Sequence, residues 1–188
     1  MTTPLATPEP FETLTNQLSS SDQSSLRQGK PVVHVSGDQF VGHIVAMAKP
    51  EVVWDVLTDY ENFSEFLPTV VSSQILKAEG DRKVVEQVDS RNVLLTDIES
   101  RVRTENIEDA QTHIDFNLLE GDLKNLEGRW HVHPIADDSD SPKTLIVQTV
   151  TAEAGAGLFE GAFHSIFKDS LKGNLNGIKQ EAEQRSPD

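Results

Sequence analysis

Histidine is the side chain whose pKa best suits proton transfer near neutral pH. The chain contains six histidines. His43 differs from the others because it alternates with Val41, Val45 and Met47, which places it on the apolar face of a predicted strand. An imidazole inside an apolar cavity could orient a carbonyl or hydroxyl group, or act as an acid or base. A hydrogen-bonded core histidine is the alternative, and the sequence leaves both open.

His131 and His133 flank Val132, so both imidazoles point to one face of a strand, about 6.5–7 Å apart along the chain. That spacing serves a metal only where a neighbouring strand brings a third ligand. Trp130 and Val132 form the opposite, more apolar face, so we expect these two histidines to face solvent. No glutamate or cysteine stands at a recognisable ligand spacing, and we predict no metal and no cofactor.

The sequence gives no support for covalent catalysis. It contains no cysteine, which excludes thiolate nucleophiles, thiolate zinc sites and disulfides, and it has no Gly-x-Ser-x-Gly motif. Arg101 and Arg103 alternate on a predicted strand, near Arg91 in sequence. Cross-strand ion pairs with Glu99 or Glu105 are their ordinary role, and binding an anionic headgroup is the alternative. We predict no catalytic residues.

The charge of the chain argues against two classes of partner. Among 188 residues, 16 are lysine or arginine and 31 are aspartate or glutamate, so the formal net charge is −15. Nucleic acids and anionic lipid surfaces would both repel such a chain. No run approaches the ~18 consecutive apolar residues of a membrane helix, and no export signal is recognisable at the start. We expect a cytoplasmic protein that could lie peripheral to a membrane. Transient contact with a membrane or with a protein complex remains an alternative that the sequence does not exclude.

Three regions differ in composition. Residues 1–28 combine three prolines with a serine-rich stretch, which predicts a disordered or loosely docked leader. Phe11, Leu14 and Leu18 are spaced to allow one short amphipathic turn within it. Residues 29–185 are predicted to form the folded domain, and residues 186–188 a tail.

The folded domain begins with strands and ends with a helix. Alternation up to Met47 predicts a hairpin or one long bulged strand. Pro50 opens a short helix whose buried stripe is Val53, Trp54 and Leu57, and a second short helix is predicted over Tyr60 to Phe66. Turn residues at regular intervals then indicate antiparallel strands, about six or seven in all. The last segment has helical spacing, seen in Phe159, Phe163, Phe167, Leu171, Leu175, Ile178 and Ala182. Two glycines inside this helix, Gly173 and Gly177, indicate either a close contact or a bend. The predicted fold class is α+β.

Several local strings resemble the START-like, helix-grip (SRPBCC) superfamily, which includes Bet v 1 allergens and polyketide cyclases. The strings are Pro50 to Phe63 with Phe66-Leu67-Pro68, then Leu119 to Asp122, Leu126 to Trp130, and Asn174 to Lys179. The likeness is greatest to the polyketide cyclase/dehydrase and coenzyme Q-binding branch. It implies a curved antiparallel sheet around a long C-terminal helix, two short helices after the first strands, and a cavity for a hydrophobic molecule.

Apolar side chains at the expected cavity are the candidate ligand contacts, with His43 as the candidate polar group. The candidates are His43, Val45, Met47, Phe63, Phe66, Trp130, Phe163, Phe167 and Leu171. Ordinary core packing is the alternative for each of them. The predicted function is binding or transport of a quinone, isoprenoid, lipid or polyketide type of ligand. One alternative is a polyketide cyclase or dehydratase that uses acid and base groups in the pocket. Another is an interaction module whose acidic surface docks on a basic partner.

Overall fold

The computed structural model describes residues 7–93, 96–136, 141–155 and 160–186. The helices are α1 (Phe11–Leu14), α2 (Ser20–Arg27), α3 (Pro50–Leu57), α4 (Phe63–Phe66, after a 3₁₀ turn at Tyr60–Asn62) and α5 (Glu160–Arg185). The strands are β1 (Glu9–Pro10), β2 (Val32–Ser36), β3 (Gln39–Ala46), β4 (Val70–Glu79), β5 (Arg82–Val93), β6 (Thr96–Asp109), β7 (His113–Gly121), β8 (Asn125–Ala136) and β9 (Thr144–Glu153). Phe159 of the predicted helix and residues 1–6 of the predicted leader lie outside the described residues.

Eight of these strands form one antiparallel sheet in the order β2-β3-β9-β8-β7-β6-β5-β4, and β1 adds to β8 in parallel. The described connections from β4 to β5, from β6 to β7 and from β7 to β8 are short, as the turn residues predict for neighbouring antiparallel strands. The α+β helix-grip architecture is therefore confirmed. The strand number is higher than predicted, because the first hairpin contributes two strands and the short β1 joins the sheet.

Helix α5 packs against the inner face of the sheet, and it contacts β3 more extensively than any other strand. Gly42 of β3 makes this approach possible, because a Cβ atom at this position would lie 2.8 Å from Cδ1 of Leu175. Leu171, Leu175, Ile178 and Ala182 form the buried stripe of the helix. Helix α3 adds Val53, Trp54, Val56 and Leu57 to the same core. Among the described residues, no helix is both long and apolar enough to cross a membrane.

Gly177 marks a close contact between α5 and the end of α4. A Cβ atom on Gly177 would lie 2.4 Å from the backbone carbonyl oxygen of Phe66, a separation at which backbone must move. The contact at Gly173 is less severe, because a Cβ atom there would lie 3.2 Å from Cγ of Pro68. The sequence left a close contact or a helix bend as explanations for the two glycines, and the close contact accounts for Gly177.

Replacing Gly177 with alanine should therefore lower the free energy of unfolding by about 1–3 kcal/mol, the usual range for overpacking. We expect the cost near the upper end of that range, because the clash is with a backbone carbonyl, so it exceeds the gain of about 1 kcal/mol that alanine brings to a helix interior. Gly161 is the matched control, because a Cβ there meets nothing within 4 Å. Gly161→Ala should be neutral or stabilising in the same urea titration. A Gly177→Ala protein as stable as the wild type would contradict the close contact.

The outer face of the sheet carries a second apolar cluster beneath the start of the chain. Its buried members are Leu26, Val32, Val45 and Leu145, and Phe11, Leu14, Leu18, Ile135 and Val147 pack against it. Helices α1 and α2 and the connection between them supply the covering side chains. Strands β2, β3, β8 and β9 supply the surface that they cover. Strand β3 is consequently buried on both faces.

Candidate functional site

A cavity of about 220 Å³ lies between α5 and the inner face of the sheet. It persists because a straight helix cannot follow a strongly curved sheet along its whole length. Apolar side chains from the helices and strands dominate the lining. They are Leu57, Phe63, Leu67, Val85, Ile98, Val102, Ile114, Phe116, Leu123, Leu126, Trp130, Val150, Phe163, Ile166, Phe167 and Ile178.

Aromatic side chains of α5 line one side of the cavity. The rings of Phe163 and Phe167, one helical turn apart, have centroids 5.5 Å apart. Phe167 also contacts Phe40 of β3, with ring centroids 4.8 Å apart. Phe40 is fully buried, so this group anchors the first turns of α5 to the sheet beside the cavity.

One wall of the cavity is polar. It consists of inward-facing side chains of β5 and β6, namely Gln87, Asp89, Arg91, Ser100, Thr104 and Asn106. The two strands are adjacent and paired in register, with Asp89 opposite Ser100. The remaining polar residues in the lining are Tyr60, Gln148 and Asn174. A ligand in this cavity would therefore meet hydrogen-bonding groups on one side and apolar groups on the other.

Arg91 and Asp89 form the charged centre of this wall. Nη2 of Arg91 lies 3.6 Å from Oδ1 of Asp89, and Nε of Arg91 donates to the hydroxyl of Ser170 on α5. Asp89 accepts hydrogen bonds from Thr69 at 2.8 Å and from Gln87 at 2.8 Å. The network thus connects β5 to α5 across one end of the cavity.

Burial and neighbouring charges act on the pKa values of Arg91 and Tyr60 in the lining. Burial lowers the pKa of Arg91, and the nearby Asp89 carboxylate opposes this shift, so the guanidinium stays charged. Burial, followed by the charge of Glu108, raises the pKa of Tyr60. Tyr60 is therefore a neutral phenol. Among the described residues, no histidine lines the cavity.

Four of the nine predicted ligand contacts line the cavity: Phe63, Trp130, Phe163 and Phe167. They come from α4, β8 and α5, so the fold brings together residues far apart in sequence. Their contact with a ligand stays a prediction. Phe66 and Leu171 pack in the core beside the cavity rather than in its lining. Leu171 lies against Gly42, and the Phe66 ring lies 5.6 Å from the guanidinium carbon of Arg185.

The predicted placement of His43, Val45 and Met47 in the cavity is corrected by the structure. His43 and Val45 project from the outer face of β3, whereas Phe40 and Ile44 of the same strand project inward into the core. Met47 follows the end of β3 and lies on the same outer side as Val45. His43 and Val45 are nevertheless buried, because the N-terminal helices cover them. Met47 is 47% exposed, and its backbone N–H donates to Glu183.

The histidine pair of β8 also lies on the outer face. The rings of His131 and His133 stack with centroids 5.3 Å apart, and His113 of β7 follows at 5.8 Å from His131. Both members of the pair are partly buried rather than solvent-facing, and burial lowers their pKa values. Among the described residues, no group of three or more histidine, aspartate or glutamate side chains has an arrangement that could hold a metal ion.

The arginine cluster divides between the two faces of the sheet. Arg103 donates to Glu86 and to Glu120, at 2.9 Å each, on the outside. Arg101 donates to the same two carboxylates, at 3.1 and 3.2 Å. Cross-strand pairing is thus their role, with Glu86 and Glu120 in place of the partners expected from sequence. Arg91 points inward, to the cavity.

Sequence reasoning missed the polar wall. On β5, Gln87, Asp89 and Arg91 alternate with residues that are equally polar, such as Glu86 and Ser90. A strand with two polar faces gives no sign of which face points inward. One signal could have identified the wall. Polar residues occupy alternating positions on two successive strands, since β6 carries Ser100, Thr104 and Asn106 in the pattern of β5.

Comparison with known proteins gives one family match and a set of similar folds. A model of the family described as polyketide cyclase/dehydrase and lipid transport matches residues 47–179. No curated protein sequence matches the chain. A START superfamily protein from Mycobacterium smegmatis has a TM-score of 0.65 and 16% identity, covering 79% of this chain and 99% of its own.

Two further solved structures share the fold. A STAR-related lipid transfer protein from Xanthomonas axonopodis has a TM-score of 0.62 and 17% identity, covering 82% of this chain and 93% of its own. The Zhui aromatase/cyclase from a Streptomyces species has a TM-score of 0.61 and 16% identity, covering 83% and 94%. At these identities the similarity shows the fold and not the ligand.

Proposed function

The chain belongs to the polyketide cyclase/dehydrase and lipid transport family, and from this premise we propose that it binds and carries a small hydrophobic ligand of the quinone, isoprenoid, lipid or polyketide type. The observation that carries the proposal is the largely apolar cavity between α5 and the sheet. Burial of apolar ligand surface supplies about 25 cal/mol per Å². The few polar groups of the lining then set the ligand's orientation.

The size of the cavity limits the buried part of the ligand. An engineered protein cavity of about 150 Å³ accepts benzene, so a volume of about 220 Å³ suits a substituted ring system or a short chain. A longer tail would have to extend beyond the cavity. The proposal includes transient contact with a membrane or protein complex, since a water-insoluble ligand must be collected from one.

The test is to identify what the protein retains. The protein is purified from its own host, analysed by native mass spectrometry, and extracted with organic solvent. We expect a stoichiometric lipid-like molecule, and a rise in Tm when a short-chain quinone or farnesol is added to stripped protein. A ligand at 100 times its Kd adds about 2.7 kcal/mol of stability. Absence of any extractable molecule, together with an unchanged Tm, would refute the carrier function.

A cyclase or dehydratase is the second candidate, and the Asp89–Arg91 pair in the cavity wall is the observation that favours it. Proton transfer near neutral pH needs groups whose pKa lies close to that pH. The described lining offers Tyr60, with a raised pKa, and a carboxylate already paired with Arg91. This favours binding over catalysis. Recovery of the extracted ligand unchanged after prolonged incubation supports the carrier, and its conversion supports the enzyme.

A further inference from the structure

The start of the chain is held to the outside of the sheet by a small number of contacts. This N-terminal segment (residues 9–27) comprises β1, α1 and α2. Strand β1 pairs with β8 through only two residues. Gln23 on α2 donates to the backbone carbonyls of Thr15 and Leu18, and Arg27 pairs with Glu12 at 2.8 Å. These bonds connect the two helices to each other, so attachment to the sheet depends mainly on the outer apolar cluster.

His43 lies inside that attachment. Its side chain is 2% exposed, and among the described residues its Nδ1 has no hydrogen-bond partner. Its cross-strand neighbours are Val32 on β2 and Val147 on β9, both members of the outer cluster. A protonated imidazole in this position would be a buried cation without a direct partner.

The charged groups around His43 come from three of the elements that pack against it. Helix α2 contributes Asp22, β2 contributes His34, and β8 contributes His133. Strand β9 presents the apolar Val147, and the inward side chains of α1 are apolar as well. One carboxylate therefore faces His43, together with two imidazoles that become repulsive when they are protonated.

We propose that the N-terminal segment is an acid-released cover, which detaches from the sheet when His43 is protonated while the rest of the fold stays intact. Release exposes the strip formed by Val45, Leu145 and Val147, flanked by His131 and His133 in their cationic forms. Five of the six histidines of the chain lie on this face, at positions 34, 43, 113, 131 and 133. The inference is independent of the ligand in the inner cavity.

The direction of the effect follows from proton affinity. Burial lowers the pKa of His43 to about 4 while the segment is docked. Exposure on release restores a value near 6.5. The released state therefore binds the proton more tightly, and acidification favours it between pH 6.5 and 4. The opening equilibrium should rise about 20-fold between pH 7 and pH 5.

Two further interactions modify this response. Burial lowers the pKa values of His131 and His133, so their protonation favours release in the same direction, although the carboxylate of Glu9 on β1 opposes this effect at His133. Asp22 lies 3.3 Å from Nε2 of His34, and this contact between α2 and β2 opposes release. The His34 side chain is about half exposed, so water and salt weaken this opposing contact.

The test is peptide-resolved hydrogen–deuterium exchange of the full chain at pH 7.0 and pH 5.0, compared as protection factors. We expect protection of residues 9–27 to fall about 20-fold at pH 5.0, while β5, β6 and α5 keep theirs. His43→Leu should reduce the fall to a few-fold. His164→Leu is the matched control and should leave it unchanged, because His164 pairs with Asp38 at a half-exposed site. His43→Gln serves as the second neutral variant if His43→Leu folds poorly.

Three results would overturn the proposal. The first is equal protection of residues 9–27 at both pH values in the wild-type protein. The second is simultaneous loss of protection in the segment, β5, β6 and α5, which would indicate global unfolding. The third is an undiminished pH response in both neutral His43 variants.

Discussion

Arg91→Met is expected to lower the free energy of unfolding by about 3–5 kcal/mol, the range for breaking a buried ion pair from one side. Arg91 and Asp89 have side chains only 23% and 12% exposed. Removal of the guanidinium leaves the Asp89 carboxylate in the cavity wall without its cation. It also removes the hydrogen bond to Ser170 that connects β5 to α5.

Urea titration followed by far-UV circular dichroism measures this loss. The double variant Arg91→Met/Asp89→Asn is the control, because the asparagine is neutral and its Oδ1 can still accept the hydrogen bond from Thr69. It should recover at least half of the stability lost in the single variant. A single variant within 1 kcal/mol of the wild type would show that the pair is screened by water entering the cavity.

The fold could be predicted from local patterns because these patterns are set by local physics. Pro50 starts α3, and the buried stripe of Val53, Trp54 and Leu57 follows from helical spacing alone. The spacing of Phe163 and Phe167 likewise predicts α5. Resemblance to a known superfamily supplied the rest, namely that the sheet curves around the last helix.

The positions of His43 and Val45 could not be predicted, and the reason lies in the burial of β3. Alternation along a strand separates two faces but does not say which one points to the main core. On β3 the inward face holds Phe40 and Ile44, and the outward face is also apolar because the N-terminal segment covers it. A strand buried on both sides gives no polar face to identify the outside.

The polar wall was unpredictable for the opposite reason. Both faces of β5 are polar around Asp89, since the outward Glu86 forms ion pairs and the inward Arg91 faces the cavity. Only the three-dimensional pairing of β5 with β6 shows that these side chains share a cavity. The same pairing identifies Ser100, whose small side chain leaves part of that cavity open.

Filling the cavity at Ser100 is expected to weaken ligand binding by roughly 70-fold. Ser100 lines the polar wall on β6, and a phenyl ring in its place would occupy space that the proposed ligand needs. If the ring displaces about 100 Å² of the ligand's apolar contact, the binding free energy falls by about 2.5 kcal/mol. This energy corresponds to the roughly 70-fold increase in Kd. Binding of a short-chain quinone, measured by isothermal titration calorimetry, gives the comparison with wild type.

Stability separates loss of the cavity from loss of the fold. Ser100→Phe adds apolar contacts inside an existing void, so its Tm without ligand should equal or exceed that of the wild type, while added quinone should no longer raise it. Ser72→Phe makes the same replacement at an exposed position on the edge strand β4 and should bind the quinone normally. Ser100 lies in the cavity lining, so a phenyl ring there must interfere with any ligand inside the cavity. If Ser100→Phe folds and its Kd for the quinone is within three-fold of the wild-type value, the ligand does not occupy this cavity.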